Sequence, residues 1–474
     1  MIKPMGKLLK TLVACFFVLP AFADDSEKVA AQKNKALSGG TATVFNTTHN
    51  AFSLPSANMP LSRKLDFSVG NSFFRNPWVI APSTTTARDG LGPVFNTNGC
   101  QNCHIKDGRG HPPANLEDVA VSLLVRLSVP AKTTEEKQQL KYSGVIPEPT
   151  YGGQLQDFGV PGVPEEGKVN IEYTPVTVKF ADGETVTLRK PNLTITGLNY
   201  GPMQKDTLFS ARVAPPMIGL GLLEAISAAD ILANADPEDS NNDGISGKAN
   251  QVWDKAKEKT VLGRFGWKAG QPSLMQQNAA AFNGDIGITS KLFPATDCTA
   301  KQTTCQKAAT GGNPEVEDKI LKFVEFYSQN LAVPARRNLN DPMVKKGERL
   351  FEQAQCSSCH ITQFKTPELK NQPEQSNQVI HPYADLLLHD MGEGLADHRP
   401  EFLASGKEWR TPPLWGIGLT QAVNGHTQFL HDGRARNLLE AILWHGGEAE
   451  PAKQQVLKMA KQDRQALIAF LNSL

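Results

Sequence analysis

The chain is 474 residues long, more than one compact domain ordinarily holds. Its 40% hydrophobic and 20% charged residues exclude wholesale disorder. Its formal charge of +1, which becomes −2 without the lysines at the N-terminus, offers no basic surface for nucleic acid or a membrane.

Residues 1–23 carry Lys3, Lys7 and Lys10, an apolar run from Leu12 to Phe22, and the triplet Ala21-Phe22-Ala23. This succession predicts a signal peptide cleaved before Asp24 and export to the periplasm. The run is shorter than the roughly 18–20 residues that cross a bilayer, so no transmembrane span is expected. Leu12-Val-Ala-Cys15 has the form of a lipoprotein box, but the apolar run continues from Phe16 to Leu19. Residues 24–60, with many Ala, Ser, Thr and Asn, read as a loosely ordered arm.

Beyond the leader, the cysteines fall into three pairs: Cys100/Cys103, Cys298/Cys305 and Cys356/Cys359. Two pairs run straight into histidine, as Cys100-Gln-Asn-Cys103-His104 and Cys356-Ser-Ser-Cys359-His360. Two thiols one helical turn apart can add to the vinyl groups of a haem while the adjacent imidazole ligates its iron. Zinc would want further Cys or His at matching spacings. A redox dithiol needs no second copy with its own histidine. Two covalently bound haem c groups are therefore expected, attached at Cys100, Cys103, Cys356 and Cys359, with His104 and His360 on iron. Cys298 and Cys305 enclose a short loop and read as a structural disulfide.

Between the haem motifs, Val176–Phe180 and Glu184–Arg189 alternate around Ala181-Asp182-Gly183, the pattern of a β-hairpin. Further on, Arg212-Val-Ala-Pro-Pro-Met-Ile-Gly is echoed by Arg410-Thr-Pro-Pro-Leu-Trp-Gly, so the chain is internally duplicated. A Pro-Pro step followed by Gly and apolar residues cannot continue a helix. Each copy reads as a strap over its haem, with Arg212 and Arg410 placed for the propionates, because a guanidinium fork suits carboxylates. The alternative is a surface loop with an incidental arginine. Asp239-Ser-Asn241-Asn-Asp243-Gly places oxygen ligands at alternate positions, as the first half of a calcium loop does. Asn250 stands at its twelfth position, and a plain Asn/Asp/Gly turn is the competing reading.

Val344–Phe351 reads as an amphipathic helix leading into the second motif, and Asp463–Leu471 as a C-terminal one. The expected fold class is mainly α: two cytochrome c-like haem domains, at 61–335 and 336–474, the first with a large insert containing the hairpin. Residues 332–342 form the linker.

Several segments together resemble the di-haem oxidoreductases described as putative peroxidases or thiol-oxidoreductase-like proteins. These are relatives of bacterial di-haem cytochrome c peroxidase and the methylamine-utilisation di-haem enzyme. The segments are Phe73–Trp78, Arg88–Phe95, Tyr151–Gln156, Leu388–Gly392, Glu408–Trp415, Phe429–Arg434 and Ala441–Gly447. The resemblance covers nearly the whole mature chain. It implies a periplasmic enzyme that reduces hydrogen peroxide at the first haem, with electrons from a small redox protein entering at the second.

The relatives carry the sixth ligand of the second haem on the helix after the His-Asp-Gly element. His445 sits there, with Met391 and His431 as the alternatives. An offset that aligns Phe265 with Phe429 places Ala281 opposite His445, which leaves the first iron open unless Met217 closes it. The relatives take their acid/base group from the stretch after the first motif, where Glu165 is the first choice among Gln154, Gln156, Glu166 and His111. The tryptophans are assigned no role. An electron relay with both irons closed, or an oxidase of thiols, ferrous iron or a partner protein, are the alternative functions.

Overall fold

The computed structural model describes Met1, residues 35–115, Asp118 and residues 121–474. The leader, apart from Met1, and residues 24–34 of the arm lie outside the described residues. The described residues are 31% helical and 17% strand, the strand lying in several two-stranded ribbons. The mainly α expectation is thereby overturned, and the fold mixes helices with ribbons. Most of these ribbons are strands of two to six residues, too short to carry a periodic signal.

The elements that build the site are α1 (Leu61–Arg75), α2 (Cys100–Cys103), β1 (Leu123–Ser128), β2 (Lys168–Lys179), β3 (Thr185–Thr196) and β4 (Leu208–Val213). They continue with α3 (Leu274–Ile286), α4 (Asp318–Gln329), α5 (Pro342–Gln353), β5 (Leu388–Asp390), β6 (Glu408–Arg410), α6 (Leu438–Leu443) and α7 (Lys461–Ser473).

One helix crossing occurs twice. α1 buries Phe67, Gly70 and Phe74, and α5 buries Val344, Gly347 and Phe351, the same i, i+3, i+7 stripe with glycine in the middle. A Cβ on Gly70 would lie 2.1 Å from the Phe323 carbonyl oxygen of α4, and one on Gly347 would lie 1.9 Å from that of Ala466 in α7. Glycine is what lets each helix pair approach. Asp341 caps α5 by accepting the Met343 amide at 2.7 Å, and Pro342 starts it. The crossing carries an aromatic ring to each haem motif, with Phe74 6.1 Å from the His104 ring and Phe351 6.1 Å from the His360 ring.

The expected hairpin is present and longer than its sequence signal, pairing Lys168 with Thr196 through to Lys179 with Thr185. It reaches over the C-terminal half. The Ala181 amide donates to Leu457 O at 2.9 Å, Arg189 Nε to Arg434 O at 2.8 Å, and Arg464 of α7 pairs with Asp182 and Glu184 at the hairpin tip.

The two straps meet face to face. Gly219 and Gly416 both take positive φ, at 68° and 71°. A Cβ on Gly219 would lie 2.3 Å from the Trp415 ring, and one on Gly416 2.6 Å from Ile218. The residue before each glycine thus sits on the other strap's glycine. Flanking hydrogen bonds repeat the relation: Val213 N donates to His431 O at 2.8 Å, and Arg410 N to Trp267 O at 2.9 Å.

Candidate functional site

A cavity of about 510 Å³ runs beneath the straps and is lined by both Cys-x-x-Cys-His motifs. Cys100, Cys103, Cys356 and Cys359 are all free thiols. Burial pushes the Cys100 and Cys356 thiols up to about 12 and that of Cys103 well above its usual value. A thiol held so firmly protonated is a poor nucleophile at neutral pH, which argues against a reactive dithiol. Among the described residues, the one group able to chelate a bare metal ion is Cys359, Asp385 and His389, which involves a single motif cysteine.

Three half-buried histidines face this cavity with the same tautomer. His104 Nδ1 donates to Pro215 O at 2.8 Å, His360 Nδ1 to Tyr383 O at 2.7 Å, and His445 Nδ1 to Ala441 O at 2.8 Å. A carbonyl partner fixes the proton on Nδ1 and leaves the Nε2 lone pair for a metal. Burial holds His104 and His360 at about 4 and lowers His445, so the imidazoles are neutral. His445 also lies close enough to lower His360 electrostatically. The first strap supplies the carbonyl behind His104. In the second half Tyr383 does this, and the strap is bound one layer away, with Leu414 N donating to Pro382 O at 2.9 Å.

The offset that pairs Ala281 with His445 has a structural counterpart. Phe265 bridges Gln271, and Phe429 bridges Ala435. Both loops take positive φ at matching positions, Gly266 and Ala269 in one and Leu430 and Gly433 in the other. Ser273 caps α3 as Asn437 caps α6. Ala281 lines the cavity with a methyl group. Met217, Met391 and His431 also line it. Met217 belongs to the strap whose Pro215 holds the back of His104, and His431 is stacked on Trp409 with ring centroids 3.7 Å apart.

Both strap arginines reach the cavity in different states. Arg212 is ion-paired, Nη1 to Glu401 at 2.8 Å, with Asp397 3.9 Å from Nη2. Arg410 donates to Gly266 O and Thr411 O and has no carboxylate within ion-pair distance among the described residues. Arg109, which sequence reasoning passed over, also lines the cavity without such a partner, and its Nε has no hydrogen bond. Unpaired buried guanidiniums suit the carboxylates of a bound haem, as the neutral imidazoles suit its iron.

Glu165 lies outside the cavity lining. Its side chain is 40% exposed and pairs with Lys168 at 3.6 Å. Neighbouring Glu166 is buried, pushed up to about 9 by burial, and bonded to the Gln156 amide and the Gln302 side chain. Asp243, Asp285, Glu401 and Glu448 line the cavity, and of these Asp285 lies one turn beyond Ala281 on α3. Burial raises its pKa, opposed by Arg126 at 3.8 Å and by Gln154 Nε2 at 3.0 Å. Its side chain keeps 20% exposure.

The Asp239–Gly247 loop closes on itself. Asp239 accepts the Gly244 amide, Asn241 that of Asp243, and Asp243 that of Ile245. Its Ser246 binds Glu448 at 2.6 Å, and Glu448 binds His389 at 2.7 Å, which ties the loop to the second motif. Cys298 and Cys305 form a disulfide. No helix among the described residues is long and apolar enough to cross a membrane.

A family model described as "Di-haem oxidoreductase, putative peroxidase" matches residues 32–474. No curated protein and no solved structure matches the chain.

Proposed function

The chain belongs to the di-haem oxidoreductase family, and from that premise we propose that it is a periplasmic enzyme reducing hydrogen peroxide. The reaction would take place at a haem c on His104, with electrons from a small redox protein passing through a second haem c on His360 and His445. The periplasmic setting rests on the leader. The observation that carries the proposal is the exchange of His445 for Ala281 within one loop-and-helix framework. A methyl group at Ala281 would leave room beside an iron held by His104, whereas the His445 imidazole would offer a second ligand to an iron held by His360.

When bound, the haems supply the one-electron chemistry that the polypeptide lacks. The chain holds the groups and moves protons. Pro215 O and Tyr383 O fix the proximal imidazoles, while Arg109 and Arg410 offer cations to the haem carboxylates. Splitting the O–O bond requires a proton to pass from one oxygen to the other and stabilisation of the charge that develops. Asp285 takes the proton-carrying role here in place of Glu165, because it faces the cavity and its raised pKa keeps more of the acid form. Arg126 stands beside it as the cation.

The test is low-temperature electron paramagnetic resonance on the oxidised, haem-loaded protein, with and without cyanide. One high-spin iron that converts to low spin with cyanide is expected. Two low-spin irons indifferent to cyanide in both redox states would leave an electron relay instead.

A further inference from the structure

We propose that Arg109 binds a haem carboxylate where the two halves meet and sets the potential of that haem relative to its partner. This rests on the cofactor in the reading above and is independent of the substrate. Arg109 follows His104 by five residues, yet it is held by the other half of the chain. Its amide donates to Asn424 Oδ1 at 3.1 Å, its carbonyl accepts from His426 Nε2 at 3.1 Å, and its Nη2 donates to Leu430 O at 2.5 Å. The guanidinium lies over Trp267 and Phe429, one ring from each duplicated loop, at 5.5 and 5.7 Å.

This fixed cation is incompletely satisfied. Arg109 is 8% exposed and its Nε is unpartnered. No carboxylate lies within ion-pair distance among the described residues. Of the other cavity-lining arginines, Arg126 has Asp285, while Arg212 and Arg399 share Glu401. Arg410 lacks a carboxylate, but its Nε is bonded to Gly266 O. A buried guanidinium without an ion-pair partner is costly to keep, and burial weakens its hold on the proton, down to about 10, with the more distant charge of Asp432 only partly opposing this. A haem brings two propionates into this cavity, and their carboxylates supply the missing charge. A cation fixed beside a haem carboxylate favours the reduced iron, so its removal lowers the potential of that haem and leaves the other nearly unchanged.

The experiment is a spectroelectrochemical titration of haem-loaded Arg109→Gln and Arg109→Lys, with resonance Raman of the propionate bending bands. In Arg109→Gln, one midpoint potential is expected to fall by about 59 mV, a tenfold shift of a one-electron equilibrium. Arg109→Lys keeps the charge and restores most of the potential, while the propionate band of that haem moves because the donor geometry changes. Two unmoved potentials and unmoved bands in a folded Arg109→Gln protein overturn the proposal. Should Arg109→Gln fail to fold, the Raman band of Arg109→Lys decides, with an unmoved band counting against it. A haem assay separates this from failure of the cofactor reading: fewer than two haems per chain removes the premise itself.

Discussion

The two halves place a glycine-centred helix crossing, an aromatic ring and a Cys-x-x-Cys-His motif in the same relation, and then diverge around the iron. On the far side, Ala281 stands where the other half has His445. Behind the proximal imidazole, a strap carbonyl serves in one half and Tyr383 in the other. The carboxylates diverge as well. In the first half burial raises Asp107, Asp157 and Asp297 to about 6 and Glu166 to about 9, outweighing their hydrogen bonds and the charges of Lys168 and Arg126 near Asp157 and Asp297. In the second half Glu401, Asp432 and Glu448 are lowered to about 2 beside Arg212, Arg399, Arg434 and His389. The shared part is what packs a helix pair against a haem motif. The divergent part concerns protons and the position shared by Ala281 and His445, which is where two chemical roles would have to separate.

The most severe way to break this comparison is to exchange the residues at the far side. His445→Ala is expected to turn the second iron into a high-spin, cyanide-binding centre like the first. Ala281→His is expected to close the first iron, abolish cyanide binding there and bring peroxide reduction down to background. Both changes are read by electron paramagnetic resonance on one sample. If neither alters the spin states, Ala281 and His445 do not face the irons, and the functional contrast between the halves falls.

The next effect concerns the proton. Asp285→Asn keeps the size of the side chain and removes its acid function, so kcat/KM for peroxide should fall by about 10²–10⁴-fold. The alkaline limb of the pH profile should disappear with it. Glu165→Gln, at the surface, is expected to leave both unchanged. The reverse result would return the role to the stretch that family resemblance indicated.

A subtler test uses stability. Glu166 stays protonated in the folded chain up to about 9 against an ordinary 4.5, so between those values the folded state holds a proton that the unfolded chain has lost. Its contribution to stability therefore diminishes as pH rises through that window. Glu401 behaves oppositely. Its folded value of about 2 stabilises the protein above 4.5, and this is lost as pH falls toward 2. Urea midpoints measured across pH should decline in both directions, and Glu166→Gln should flatten the alkaline decline alone. Superimposable alkaline limbs for wild type and variant would show that Glu166 is not held as an acid.

Much of this was legible in the chain because the signals are local. The two haem motifs, the hairpin turn at Ala181–Gly183, the duplicated straps and the offset linking Ala281 to His445 each lie within one short segment. Mixed helix and strand content was not, since ribbons such as β5 with β6 pair only three residues a side and join segments far apart. The role of Pro215 escaped because the donor chain it completes uses a backbone carbonyl, which any residue carries. Glu165 was preferred and Asp285 passed over, because reach into the cavity depends on α3 packing back onto the Gln154 segment. Arg212 looked free beside its strap, yet Glu401 neutralises it from the other half, while Arg109 stood unnoticed beside the motif that it serves.

The smallest effect tests the part of the comparison that is shared. Tyr327 of α4 packs on Phe74 at 5.2 Å, as Phe470 of α7 packs on Phe351 at 5.2 Å. The rings do the same work, but Tyr327 also donates its hydroxyl to Asp107 at 2.7 Å, deep in the protein. Tyr327→Phe gives the first half the ring that the second half already uses, so packing should survive. What is lost is a hydrogen bond to a buried carboxyl, whose removal leaves Asp107 short of a donor. The expected loss is about 1–3 kcal/mol in urea unfolding, with the spin states of both irons unchanged. The complementary Phe470→Tyr adds a hydroxyl with no carboxylate provided for it and should destabilise by a similar amount. If Tyr327→Phe is neutral, the hydroxyl is dispensable and the two crossings are equivalent in energy as well as in shape. If it also changes the spin state of the first iron, the Asp107–Tyr327 pair helps to hold His104, and the crossing in the first half belongs to the site rather than to the scaffold.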